Sequence, residues 1–118
     1  MNTRQIGNAS EEYACRYLTR RNYRILARNW RYRRAEIDII ALHKAILVFI
    51  EVKSRYWINF GEAEIAVNSH KEKLLFAAAQ AFMEKNNYDW AIRFDIISIE
   101  LDSQKRVHRL KHILDVFF

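Results

Sequence analysis

The sequence contains no proline, only two glycines and a single cysteine among its 118 residues. Proline and glycine supply the backbone conformations that turns and irregular loops need, so their scarcity argues against long unstructured connections. The one cysteine, Cys15, excludes an internal disulfide, and this usage fits a reducing compartment. Stability must therefore come from an apolar core and backbone hydrogen bonds, without covalent cross-links.

Long hydrophobic runs are absent as well. The longest purely apolar stretch, Ala45–Ile50, falls far short of the roughly 20 residues that a membrane helix needs. The opening residues, MNTRQIGNASEEYACRYL, lack the apolar segment of a secretory signal. We therefore expect a cytoplasmic protein that does not enter a membrane. A chain of this length is expected to form one domain over residues 1–118.

Positive charge is in excess, with a formal net charge of +6. Such a balance favours an anionic partner, and nucleic acid ahead of a membrane because no strongly basic amphipathic helix is present. The segment RRNYRILARNWRYRR, residues 20–34, interleaves arginines with tyrosine and tryptophan. Guanidinium groups neutralise phosphates and aromatic rings stack on bases. The alternative is a sheet edge with solvated arginines and inward-facing rings.

Hydrophobic periodicity predicts an α/β domain with the order helix, three strands, helix, two strands. The expected helices are Ala9–Arg21 and His70–Asn86, and the expected strands are Arg24–Trp30, Glu36–Leu42, Ala45–Lys53, Ile92–Leu101 and Arg106–Ile113. A polar and aromatic connection over residues 54–69 precedes the second helix. The order predicts a mixed sheet with helices packed on it.

Acidic residues interrupt the two apolar strands in the stretch AEIDIIALHKAILVFIEVKSR, residues 35–55. Side chains alternate along a strand, so Glu36 and Asp38 are expected on the face opposite Ile37 and Ile39. If the strands form a hairpin, a two-residue loop at positions 43–44 sets Asp38 diagonal to Glu51. A four-residue loop over positions 43–46 sets these two acids directly opposite. Both loops put the acids on one face.

Two carboxylates on neighbouring strand positions can reach one divalent ion. Without a cation, such like charges on half-buried strands are costly. Lys53 shares the face of Glu51, and a lysine beside a metal can orient a water or stabilise charge on a phosphate. An Asp followed by Glu-x-Lys is thus typical of metal-assisted phosphodiester hydrolysis. A cluster of salt bridges on a solvated sheet face is the other interpretation that the spacing allows.

Several motifs in a fixed order resemble one known family along nearly the whole chain. They are GNASEEYACRYL, NWRYRRAEIDIIA, LVFIEVKSR and RFDIISIE, with Gly61, Val67 and Lys71 between the last two. These residues resemble the YraN-like family of uncharacterised bacterial proteins. That family is similar in pattern to the PD-(D/E)XK nuclease superfamily, with a restriction-endonuclease-like fold, and within it to archaeal Holliday junction resolvases.

The resemblance implies a role for each matching residue. Asp38, Glu51 and Glu11 would be catalytic metal ligands for Mg²⁺ or Mn²⁺, Lys53 the catalytic lysine, and Glu36 an auxiliary acid. Arg55 and Lys71 match basic positions that could hold phosphate, and a homodimer is implied by the resolvase pattern. Ala35 and Ser10 replace glycines that the family usually has. Because both are small, we expect the backbone to adjust.

Together these observations predict a metal-dependent endonuclease-like protein that acts on structured or branched DNA. The arginines Arg31, Arg33 and Arg34 directly precede the acidic hairpin, where they are expected to grip phosphates. A nucleic-acid-binding module with the same fold and no catalysis is the first alternative. An interaction protein whose basic face binds an acidic partner is the second.

Overall fold

A computed structural model of the chain describes residues 3–56 and 69–117. In these ranges lie two helices, α1 (Thr3–Arg20) and α2 (Ser69–Lys85), and five strands, β1 (Arg24–Tyr32), β2 (Ala35–His43), β3 (Ile46–Tyr56), β4 (Ile92–Leu101) and β5 (Val107–Ile113). Most of the predicted connection over residues 54–69, with Gly61 and Val67, lies outside the described residues.

All five strands form one sheet in the order β1-β2-β3-β4-β5. The β3–β4 pair is parallel and the other three pairs are antiparallel. A parallel pair needs a crossover connection, and here the crossover contains α2. The predicted α/β class, the mixed sheet and the order α-β-β-β-α-β-β are therefore confirmed. Among the described residues, no helix has the length and apolarity to cross a membrane.

The two helices cover opposite faces of the sheet, and each face has its own core. On the first face, Ala14 and Leu18 of α1 pack against Ile39, Val48 and other strand residues; we call this the α1-side core. On the second face, α2 packs against a set that shares no member with the first, the α2-side core. The central strand β3 is apolar on both faces for this reason, as expected of a strand covered twice.

Helix α1 begins at Thr3, six residues before the predicted start at Ala9. Ile6 packs against the α1-side core, and Ser10, Ala14 and Leu18 follow it at intervals of four residues. This spacing places all four side chains on one helix face. The prediction began the helix too late because polar residues surround Ile6 and hide the first member of the stripe.

Asparagine takes the place of glycine at both helix ends. Asn22 after α1 and Asn87 after α2 have positive φ angles of 68° and 52°. After α2, the Tyr88 N–H donates to the Met83 carbonyl at 2.8 Å, which closes the last turn. Asparagine tolerates the left-handed conformation better than most residues, so the chain ends its helices cleanly with few glycines.

The β2–β3 hairpin turns at Lys44 and Ala45, whose φ angles are 50° and 63°. Two positive φ angles in a two-residue loop are those of a type I′ turn, which suits the twist of a hairpin. His43 pairs with Ile46 and Ile39 with Ile50. This is the register expected for the four-residue loop over positions 43–46. The loop itself contains only residues 44 and 45, because β2 continues to His43 and β3 begins at Ile46, so both predicted loop boundaries were wrong.

One prediction about strand faces was wrong. Ile37 belongs to the α2-side core and Ile39 to the α1-side core, although two residues apart they should share a face. The regular alternation of β2 therefore breaks at Asp38, between them. On the neighbouring strand, Asn29 has a φ of 51°, and its neighbours pair as Arg28 with Ile39 and Trp30 with Ile37. This local distortion decides where the Asp38 carboxyl group points.

Candidate active site

Asp38 lies where β2 and β3 stop pairing. The last pair of their ladder is Ile39 with Ile50. One residue further, the Asp38 Oδ2 atom accepts a hydrogen bond of 2.8 Å from the Val52 backbone N–H. The side chain of Asp38 thus satisfies a β3 donor that backbone pairing leaves open, and it points across the gap between the strands.

The surroundings of Asp38 disfavour its charge. Burial raises the pKa of this carboxyl, the hydrogen bond from Val52 lowers it, and the charges of Glu11, Glu51 and Glu36 raise it again. The net effect lifts the pKa from its ordinary value of 3.8 to about 6. The structure therefore brings Glu11, Glu51 and Glu36 close enough for their charges to act on Asp38.

Glu11 reaches this cluster from α1. Burial raises its pKa, the charge of Arg28 lowers it, the charge of Glu36 raises it, and a side-chain hydrogen bond with Asn29 lowers it, so that the pKa is raised overall. The Oε1 atom of Glu11 is buried and has no hydrogen-bond partner among the described residues. A buried carboxylate oxygen left without a donor is rare and costly in native proteins.

Glu36 and Glu51, the other two acids, are each held by a cation. Arg31 Nη2 lies 2.8 Å from Glu36 Oε2, on an exposed arginine side chain. Lys71 of α2 forms an ion pair with Glu51 Oε1. The sequence predicted a phosphate contact for Lys71, whereas the structure places its ammonium group on a carboxylate of the acid cluster.

Lys53 lies two residues beyond Glu51 and is half-buried. Its neighbours Val52 and Tyr56 pack against the α1-side core, so alternation turns Lys53 with Glu51 toward the other face. Lys53 pairs with Ser98 of β4, whose Oγ atom is the second buried side-chain oxygen without a partner in the described ranges. No sequence pattern singled out Ser98, because it lies between apolar residues of β4.

The predicted basic residues border the cluster on one side. Arg33 and Arg34 form the exposed turn between β1 and β2, and Arg31 pairs with Glu36 across these strands. The Arg33 guanidinium lies 5.1 Å from the centre of the Tyr32 ring, within range of a cation–π contact. Arg55 is half-buried further along β3. The turn thus presents positive charge beside Glu36, one of the four acids.

The two small residues that replace family glycines are buried without disrupting their elements. Ser10 is 3% exposed within an unbroken α1, and Ala35 is 6% exposed at the first position of β2. Both side chains fit where the helix and the strand approach the core. These departures leave Glu11 and Glu36, the acids that follow them, directed into the cluster.

Carboxylate oxygens are the ligands that Mg²⁺ and Mn²⁺ prefer, so the chemistry of the donors fits such an ion. Positive charge would also relieve the repulsion at Asp38 and give Glu11 Oε1 a partner. In the described ranges, no three His, Cys, Asp or Glu side chains already surround a common point. Glu51, one of the four acids, is paired with Lys71 of α2.

A second polar cluster, which sequence reasoning missed, lies between β4 and β5. Asp95 is 2% exposed and accepts hydrogen bonds from Arg93 Nε and Nη2 at 2.8 and 2.9 Å. The His112 Nε2 atom lies 2.7 Å from Asp95 Oδ2, and the Asp115 N–H donates to Oδ1 at 3.0 Å. The spacing of Arg93 and Asp95, two apart on one strand, was the available signal.

This Asp95 network extends to two tyrosines that pack in the α1-side core, Tyr23 and Tyr17. Arg93 Nη2 donates to the Tyr23 hydroxyl at 2.8 Å, and the Tyr17 hydroxyl lies 3.0 Å from His112 Nδ1. Burial raises the pKa of Asp95, but His112, Arg93 and the Asp115 N–H outweigh it, so the pKa lies below its ordinary value. Every polar group here has a partner, which is the pattern of a structural cluster.

The fold and the acid cluster together define a mixed α/β protein with carboxylates gathered where two central strands separate. Comparison with known proteins then places the chain: it belongs to the uncharacterised protein family UPF0102, whose family model matches residues 10–99. The match runs from Ser10, within α1, through most of β4, and so includes every acid of the cluster.

Relatives from distant bacteria share the full length. A UPF0102 protein of Caldanaerobacter subterraneus subsp. tengcongensis is 37% identical over 99% of this chain and 98% of its own. One from Chlorobium phaeobacteroides is 40% identical, covering 95% of this chain and 92% of its own. One from Flavobacterium johnsoniae is 35% identical over 97% and 94%. The predicted family membership is confirmed.

Proposed function

We propose that this protein is a metal-dependent endonuclease that hydrolyses phosphodiester bonds in structured or branched DNA. One observation carries the proposal: Asp38 lies where β2 and β3 separate, the charges of Glu11, Glu51 and Glu36 act on it, and Lys53 follows on the same strand as Glu51. A site so costly in repulsion is understandable if a cation completes it. The family's name assigns no activity, and the arrangement of the acids and Lys53 is what supports the proposal.

Asp38, Glu51 and Glu11 are the residues that would hold Mg²⁺ or Mn²⁺, with Glu36 as an auxiliary acid. The ion, when bound, supplies charge stabilisation for a phosphate and a more acidic water. Lys53 positions the attacking water and offsets negative charge that builds on the phosphate. Four arginines bind neighbouring phosphates and fix the path of the DNA strand. They are Arg31, Arg33 and Arg34 at the β1–β2 turn, and Arg55.

DNA is proposed as the partner on charge and position. The net charge is +6, and the exposed arginines at the β1–β2 turn lie beside the acids rather than on a remote face. Phosphate contacts from such residues give affinity with little sequence preference. A branched substrate has to be recognised by its shape, and contacts to the phosphates of the DNA backbone are suited to that. The resolvase resemblance adds a homodimer to the proposal.

A cleavage assay tests the proposal. Purified protein is incubated with Mg²⁺ or Mn²⁺ and with duplex, flap, single-stranded and four-way junction DNA. We expect metal-dependent cleavage that favours the structured substrates and falls by roughly 10²- to 10⁴-fold in Lys53→Ala. Lys44→Ala is the matched control, because Lys44 is an exposed lysine in the turn that begins β3, away from the acids. Cleavage that survives in Lys53→Ala would refute the assigned role.

A catalytically silent nucleic-acid-binding module is the second candidate, and a specific observation favours it. Glu51 and Glu36 are already neutralised by Lys71 and Arg31, so two of the four acids have cations within the protein. Under this alternative, the wild-type protein cleaves none of the substrates yet binds them with steep salt dependence. The same preparations, measured by fluorescence anisotropy at several salt concentrations, distinguish the two candidates.

A further inference from the structure

The contact between Lys71 and Glu51 joins α2 to the acid cluster. Lys71 Nζ pairs with Glu51 Oε1, and the side chains are 42% and 21% exposed. Val52, next to Glu51, donates its N–H to Asp38, and the charge of Glu51 acts on Asp38. The Glu51 carboxylate therefore lies near the gap between β2 and β3. Lys71 is therefore the cation that the described part of the chain pairs with Glu51, as Arg31 is paired with Glu36.

The position of Lys71 within α2 does not itself favour a lysine. It is the third residue of the helix, within the first turn, where the helix dipole is positive. A cation at this end is unfavourable, and acidic residues such as Glu72 are preferred. The dipole therefore does not stabilise the Lys71 ammonium group at this position, and the pair with Glu51 does. A divalent ion would compete for Glu51 with this one half-exposed ammonium group.

We propose that Lys71 is a displaceable counter-ion of Glu51. Its ammonium group neutralises the carboxylate when no divalent cation is bound and leaves it when one binds, which frees Lys71 to contact phosphate. This inference rests on the proposed metal site. It explains why the described acids do not already surround one point, and it reconciles the observed ion pair with the phosphate contact predicted for Lys71.

Calorimetric titration of Mn²⁺ into the full chain tests this role without any activity measurement. Removal of the competing ammonium in Lys71→Met should lower the Kd for Mn²⁺ by about 3- to 10-fold, the size of a half-exposed ion pair. Lys71→Arg keeps the charge and should bind Mn²⁺ within about twofold of the wild type. Lys73→Met, an exposed lysine two residues along the same helix, is the matched control and should leave the Kd unchanged.

The wild-type protein offers a second measurement that does not depend on a variant folding. On addition of Mg²⁺, the side-chain ammonium resonance of Lys71 should shift in the NMR spectrum, while that of Lys73 should not. An affinity that is unchanged or weaker in Lys71→Met, or a Lys71 resonance unmoved at saturating Mg²⁺, overturns the counter-ion role. If the wild type binds Mn²⁺ through Asp38 and yet Lys71→Met binds no tighter, only this inference fails. Absence of binding to every protein defeats the metal site as well.

Discussion

Two aspartates on strands that flank β3 have opposite surroundings. Asp95 of β4 is fully buried, and its carboxylate oxygens accept bonds from Arg93, His112 and the Asp115 N–H. Asp38 of β2 is partly buried, and among the described residues it accepts one bond, from Val52. The pKa is lowered at Asp95 and raised to about 6 at Asp38.

The two aspartates differ in what their charges do for the sheet: the charge of Asp95 stabilises the fold, whereas the charge of Asp38 costs stability. A buried carboxylate with a full set of donors and cations contributes to the fold, and its loss leaves those partners unsatisfied. A carboxylate surrounded by other carboxylates costs stability, which natural proteins accept mainly at functional sites. Substitutions at the two positions should therefore have opposite effects.

The largest expected effect is at Asp95. Asp95→Asn removes the charge that pairs with Arg93, whose side chain is only 15% exposed, and with His112. We expect the free energy of unfolding to fall by about 3–5 kcal/mol, as when one partner of a buried ion pair is lost. Urea unfolding measures this. Asp89→Asn, at an exposed aspartate, should change it by less than about 0.5 kcal/mol. A loss at Asp95 no larger than this control would contradict a structural role.

At Asp38 the expectation is reversed and depends on pH. The native state keeps the Asp38 proton up to about pH 6, whereas the unfolded chain releases it near the ordinary pKa of 3.8. Because the native state binds more protons in this window, the free energy of unfolding should fall as pH rises from about 4 to 6.

Asp38→Asn removes this penalty and should be more stable than the wild type above pH 6, by up to about 3 kcal/mol. The difference between the two proteins should vanish below about pH 4, where the wild-type carboxyl is protonated in both states. Urea unfolding across this range, in the presence of a chelator, isolates the contribution of Asp38. A variant that is less stable than the wild type at neutral pH would show that the Asp38 charge supports the fold.

Ser98 gives an intermediate test of the same comparison. Its Oγ atom is buried beside Lys53 and has no partner in the described ranges. Ser98→Ala removes an unsatisfied hydroxyl and should raise the free energy of unfolding by about 1 kcal/mol. Chemical denaturation measures the change, with Ser103→Ala, at an exposed turn, as the control. Clear destabilisation would mean that the hydroxyl has a partner.

The smallest effect is expected at the edge of the Asp95 network. Tyr17→Phe removes the hydroxyl that lies 3.0 Å from His112 Nδ1 but keeps the ring in the α1-side core. Loss of one partly buried hydrogen bond should lower the free energy of unfolding by about 0.5 kcal/mol, the low end for such a bond. A loss as large as that in Asp95→Asn would mean that the network fails as a unit rather than bond by bond.

The sequence could predict the elements but not the exact direction of the key side chains. Periodicity located both helices and all five strands, because an apolar face repeats in each. Alternation then placed Ile37 and Ile39 on the same face of the sheet, whereas they lie on opposite faces. The alternation breaks at Asp38, opposite the left-handed backbone of Asn29 on the neighbouring strand. Such a distortion is a property of paired strands and leaves no signature in either strand alone.

Contacts between distant positions were also beyond the sequence. Lys71 meets Glu51 only because α2 returns across the sheet, and His112 meets Asp95 only through the β4–β5 pairing. The meeting of Asp38 and Glu51 was expected from the hairpin spacing, and that of Glu11 from a family resemblance; in the structure the charges of Glu11 and Glu51 act on Asp38. Their proposed roles as metal ligands stay predictions, as do the phosphate contacts of the arginines.

Mn²⁺ binding by the wild-type protein and by Asp38→Asn, measured side by side by calorimetry, tests the central claim most directly. If the strained carboxylates around Asp38 form a cation site, the wild type binds one Mn²⁺ per chain and Asp38→Asn binds it at least about tenfold more weakly. Equal affinity in the two proteins, or no binding to the wild type, would contradict the claim.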